Sequence, residues 1–178
     1  MIGLAVVVLV AGIGIAATLL LGANSGDEKA SGDTLRGTAI LFDPDGSVEG
    51  SWDDCKGTGG YSDFGEGMRL SVKGKSDEIV GTGNVVNVTE ANLEDVVRAD
   101  WGSNAIGLTE KEDLAAAVDE LRDFLESGEG LLCLLYFEAD IEPSTYYSVE
   151  LADRGDLSYS QDELRKKEFA VGFSLGDF

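Results

Sequence analysis

Hydrophobic and polar positions divide the chain into three stretches of different texture. Ile2 to Ala23 is apolar almost throughout and uncharged, Asn24 to Asp33 is small and polar without periodicity, and from Leu35 onward apolar residues recur in short groups. Alternation of period two predicts half-buried strands at Arg36 to Asp43, Met68 to Lys73 and Phe169 to Leu175. Glu78 to Thr89 continues the β pattern across two glycines. Leu131 to Phe137 (LLCLLYF) is a continuous apolar run, which suits a strand buried on both faces at the centre of the core. Tyr146 to Ala152 and Leu157 to Tyr159 flank the turn Arg154-Gly155-Asp156 and predict a hairpin.

Helical periodicity is rarer. Thr109-Glu110-Lys111-Glu112 is a capping box, Leu114, Val118, Leu121 and Leu125 recur on one helical face, and Gly128 ends the run. This predicts an amphipathic helix over Thr109 to Ser127. A second box, Ser160-Gln161-Asp162-Glu163, opens a short helix that closes on Arg165-Lys166-Lys167, where the helix dipole is negative. Thr89 to Arg98 is a weaker helix pattern, with Leu93, Val96 and Val97 to pack and Thr89 as its cap. The fold expected is mainly β: a disulfide-tied β-sandwich-like domain over residues 35–178, with a helical insertion at 109–127.

The first stretch has membrane length. At ~1.5 Å per residue, residues 2–23 cover roughly 30 Å, the thickness of a hydrocarbon core, so they predict one transmembrane helix at 1–23. Residues 24–34 then form a flexible stalk. A cleaved signal peptide is the rival reading, with Ala23-Asn24-Ser25 as small residues at the cleavage site. The apolar run exceeds the ~7–15 residues of a signal core and no basic segment precedes it, which favours a retained anchor. Both readings export the domain. Its expected place is the cell membrane, single-pass with the C-terminal domain outside the cytoplasm, or secreted in the rival case. The first Cys is Cys55, far beyond the apolar run, which closes the lipid-anchor route.

Composition sharpens this picture by exclusion. The 178 residues hold 13 Lys plus Arg, 34 Asp plus Glu and no His, a net charge of -21. His-based triads, imidazole general bases and His-containing zinc sites are ruled out. An acidic surface also repels phosphate backbones, so nucleic acid is not an expected partner. The carboxylates are too numerous for any pair to stand out as an acid/base couple.

Two cysteines in an exported domain are expected to pair, and Cys55–Cys133 would tie a glycine-rich loop to the central strand, closing a ring worth roughly 4.5 kcal/mol. The alternative leaves Cys133 as a small buried hydrophobe and Cys55 free. Asp43-Pro44-Asp45-Gly46 with Glu49 resembles the opening of a calcium loop, but the full ligand spacing is absent and a turn explains the segment better. Calcium at Asp43, Asp45 and Glu49 is the one cofactor the sequence leaves open. Gly74-Lys75-Ser76 ends like a phosphate loop, yet Arg69 stands where the first glycine is needed, so a hairpin turn is expected. Asn87-Val88-Thr89 fits a glycosylation sequon. Trp52, Tyr61, Phe64, Trp101, Tyr146 and Tyr147 could line a ligand face, although such aromatics more often pack a core.

The segment Cys55-Lys56-Gly57-Thr58-Gly59-Gly60-Tyr61-Ser62-Asp63 resembles the Cys-x-Gly-Thr-Gly-Gly-Tyr-x-Asp motif of uncharacterised exported proteins of actinobacteria. Tyr147-Ser148-Val149-Glu150, Arg154-Gly155 and Tyr159-Ser160 resemble a second pattern of that family. The resemblance implies an extracellular, disulfide-tied β domain and supplies no catalytic residue. Together these features lead to the expectation of a membrane-anchored binding or envelope-interaction module, with an envelope protein or glycan as ligand and no catalytic motif. The alternatives are a carboxylate-based hydrolase of cell-surface glycans and a cation-binding or structural surface protein.

Overall fold

A computed structural model describes residues 32–42, 46–104, 113–127 and 132–176. The anchor segment, most of the stalk, Asp43, Asp45 and the capping box Thr109 to Glu112 lie outside the described residues. No helix among the described residues is long and apolar enough to cross a membrane.

Among the described residues nine strands form: β1 (Asp33–Phe42), β2 (Val48–Glu49), β3 (Lys56–Gly57), β4 (Arg69–Lys73), β5 (Ile79–Asn87), β6 (Leu132–Ile141), β7 (Tyr146–Leu151), β8 (Asp156–Ser160) and β9 (Ala170–Gly176). Seven of them join in one sheet of order β8-β7-β4-β5-β6-β1-β9, and β2 and β3 make a separate ribbon. Neighbours are antiparallel except β1 and β9, which run parallel. The expected sandwich is thus one curled sheet, whose inner face gathers β1, β4, β6, β7 and β9 into a single core cluster.

Side chains alternate across a strand, so β6 feeds two cores. Cys133, Leu135, Phe137, Ala139 and Ile141 point to the inner face, where Phe137 meets Phe173 edge-on at 6.0 Å between ring centroids. Leu134 and Tyr136 point outward under α1 (Leu93–Ser103) and α2 (Leu114–Ser127). The continuous apolar run read from sequence is this doubly covered part of β6. α2 contributes Ala117, Leu121 and Leu125 to the outer core, so the segment read as an insertion supplies part of a core layer.

Two helix starts differ from the sequence reading. α1 begins at Leu93 with Asn92 as the N-cap residue, and the Asn92 carboxamide turns back to accept from the Thr89 amide at 2.7 Å. Thr89 therefore precedes the helix as part of a turn and does not cap it. Asp113 stands at the start of α2, accepting from the Ala116 amide at 3.1 Å. The short α3 (Gln161–Lys166) forms as read, with the Ser160–Glu163 capping box complete and Leu164 anchoring it in the inner core.

Candidate functional site

The glycine-rich segment is held from three directions. Cys55 and Cys133 are bridged, which fixes the loop to the start of β6. Gly57 packs so closely on the Tyr61 backbone that a Cβ there would overlap the Tyr61 carbonyl oxygen. Arg154, from the β7–β8 turn, reaches over the rest: Nη2 donates to the Gly60 carbonyl at 2.9 Å and pairs with the Asp63 carboxylate, and the guanidinium lies 5.0 Å from the Tyr61 ring centroid. The two segments that carry the family resemblance thus meet at one side chain. Arg154 Nη2 is engaged by both partners while Nε is buried without one, and the side chain joins the two segments as a structural clamp.

The other candidates separate in space. Glu49 sits on β2 and pairs with Lys56 at 2.8 Å, while its companions Asp43 and Asp45 lie outside the described residues. Among the described residues no group of three or more Cys, Asp or Glu is placed to hold a metal ion. Gly74-Lys75-Ser76 forms the β4–β5 hairpin turn, where the Gly74 amide donates to the Glu78 carbonyl at 2.8 Å. Asn87 of the sequon is buried and donates to Glu66 at 3.2 Å, which withholds it from modification. Phe64 and Tyr147 are core residues and Trp52 packs against the helical layer, so the described aromatics form no common ligand face.

The structure instead brings together residues that the sequence reading passed over. Past Tyr136 the helical layer stops, and among the described residues nothing covers the outer face of β4, β5 and β6. Arg69, Asn84, Glu138 and Arg36 stand in one cross-strand row, because Arg69 pairs with Asn84, Asn84 with Glu138 and Glu138 with Arg36. The adjacent row holds Ser71 opposite Thr82, and Asp140 opposite Thr34. The ridge Thr82–Asn84 on β5 separates two depressions of about 390 Å³ each, one floored by Tyr136, Glu138 and Asp140 and the other by Arg69, Ser71 and Ile79. Gly83 lets β5 approach β6 here, since a Cβ would overlap the Glu138 carbonyl oxygen.

Chemically, this face is rich in uncommitted hydrogen-bonding groups. Among the described residues, the side chains of Arg69, Ser71, Thr82 and Asn84 have no hydrogen bond or ion pair, and Arg36 Nε is buried without a partner. Tyr136 donates to Glu138 at 3.4 Å, and Thr34 donates to Asp140 at 3.0 Å. Burial pushes the Tyr136 phenol well above its ordinary value, with the charges of Glu138 and Asp95 adding to the shift and Arg36 opposing it, so the phenol stays a neutral donor. A signal for this face existed in the sequence: Phe137-Glu138-Ala139-Asp140-Ile141 resumes strict alternation after the apolar run. No family model, curated protein or solved structure matches the chain.

Proposed function

We propose that this chain is an extracytoplasmic binding module, tethered by the apolar segment 2–23, which engages an envelope component across the open face of β4, β5 and β6. The observation that carries the reading is the set of unpartnered polar side chains Arg69, Ser71, Thr82 and Asn84 beside Glu138 and Asp140, where the helical layer ends. A disulfide inside the core suits an oxidising compartment, and membrane-length apolar sequence ahead of a polar stalk suits export. The resemblance of the Cys55 to Asp63 segment to exported actinobacterial domains points the same way.

Two measurements on the full-length chain test the proposal. It should sediment with membranes and resist carbonate and high salt; a soluble product beginning at Gly26 would overturn the anchor. In this anchored protein, association of the domain with envelope components, read by chemical cross-linking, should fall when Thr82 and Asn84 are both replaced by Ala, and undiminished association would overturn the binding face.

One observation favours a hydrolase as a second reading: Glu138 and Asp140 are two residues apart on one face of β6, roughly 7 Å along the strand, within the spacing used by inverting glycosidases. Both side chains are exposed, whereas a general acid of this kind sits in a buried pocket, and the binding reading is preferred. Release of reducing ends from envelope polysaccharide, abolished by Glu138→Gln, would reverse that preference.

A further inference from the structure

We infer that the ligand of this open face is a neutral, hydroxyl-rich oligosaccharide lying across β4, β5 and β6, with Asn84 at the centre of its contacts; this rests on the binding-face reading above. Charge narrows the choice first. Arg69 and Arg36 offset Glu138 and Asp140 in these two rows, while the molecule as a whole carries -21, so the site offers no net attraction to an anion and its surroundings repel one. A compact cation would need carboxylates converging on one point, and no such group exists among the described residues. An apolar ligand would find only Ile79 exposed along the rim.

What remains is hydrogen bonding in both senses. Asn84 offers two donors and an acceptor, Thr82 and Ser71 each offer one donor and an acceptor, Glu138 and Asp140 accept, and Arg69 donates. A sugar hydroxyl also gives one hydrogen bond and takes others, so vicinal hydroxyls match a surface where donors and acceptors alternate. Neighbouring strands lie ~4.8 Å apart, so the rows from β4 to β6 extend roughly 10 Å, a length suited to linked sugar rings more than to a single one. Two depressions on either side of the Thr82–Asn84 ridge, each about 390 Å³, are large enough to seat successive rings.

The test is calorimetric titration of the full-length protein in nanodiscs of neutral lipid. Chitohexaose, cellohexaose and maltohexaose are the neutral probes, with hexagalacturonate as the anionic counterpart. At least one neutral probe should bind with an affinity that changes less than twofold between ~0.05 M and ~0.3 M NaCl, as expected for uncharged recognition. Asn84→Ala and Glu138→Gln should each weaken it by about tenfold, the loss expected for removing a hydrogen bond that involves a charged or fully engaged group, with thermal melting unchanged. Failure of all three neutral probes at millimolar concentration, tighter binding of hexagalacturonate, or indifference to both variants would overturn the inference. Failure of the sugars while Thr82→Ala/Asn84→Ala still abolishes envelope association would sink the ligand class alone; if association also persists, the binding face itself falls.

Discussion

Arg154 shows how a surface residue becomes structural. Its side chain is 18% exposed and serves three partners at once, whereas Asp63 is 51% exposed, so solvent screens the ion-pair part of the contact. The carbonyl bond to Gly60 and the stacking on Tyr61 should carry most of the effect. Arg154→Ala is expected to cost about 2 kcal/mol in denaturant unfolding and Asp63→Ala less than about 1 kcal/mol. Equal losses would mean that the ion pair dominates. Arg154→Lys keeps the charge but loses the planar fork, and should fall nearer to the Ala variant than to the wild type.

At the level of elements, α3 is set by its cap. The Ser160 amide and hydroxyl hold the Glu163 carboxyl below its ordinary value of 4.5, with Lys166 assisting. A depressed folded-state pKa contributes stability that is fully present above the unfolded value and is lost as pH falls through the folded value. The stability difference between wild type and Glu163→Gln should therefore be largest near neutral pH and shrink below about pH 4.5, measured by denaturant unfolding at a series of pH values. A difference independent of pH would assign the cap's contribution to helix geometry. The contrast with α1 is instructive: Asn92 directs its side chain back to Thr89 and Asn87 and makes no cap hydrogen bond to the helix, so the start of α1 owes more to Leu93, Val96 and Val97 in the outer core.

For the whole molecule, two long-range effects act in opposite directions. The Cys55–Cys133 bridge closes a loop with a sequence separation of 78 and ties the inner core to its covering segment. Replacing both cysteines by Ala should cost about 4 kcal/mol in denaturant unfolding, and a loss under about 1 kcal/mol would show that the loop is already ordered in the unfolded chain. Against this, the 34 acidic and 13 basic side chains repel one another in the compact state. Raising salt from ~0.01 M to ~0.15 M shortens the reach of that repulsion from ~30 Å to ~8 Å, so the melting temperature should rise with sodium chloride. A further rise with millimolar calcium at matched ionic strength, removed by Asp45→Ala, would instead place a cation at Asp43, Asp45 and Glu49. No salt dependence would mean that the charges are too dispersed to matter.

The strands β1, β4 to β9, the capped helix α3 and the cysteine pair were legible in the chain itself, because period-two alternation, a capping box and a count of two thiols are local signals. Which strands share a sheet was not, since alternation marks a strand's two faces without naming its neighbours. For that reason seven strands expected in a sandwich join in one curled sheet, and a helix expected as an insertion packs into its outer core. The clamp at Arg154 joins residues about ninety positions apart. The open face has the same origin: Arg69, Asn84, Glu138 and Arg36 become neighbours only through strand register. The sequence reading ended the central strand at Phe137, with Glu138 and Asp140 beyond it; the structure extends β6 to Ile141, and the place where the helical layer stops makes both residues the floor of a groove.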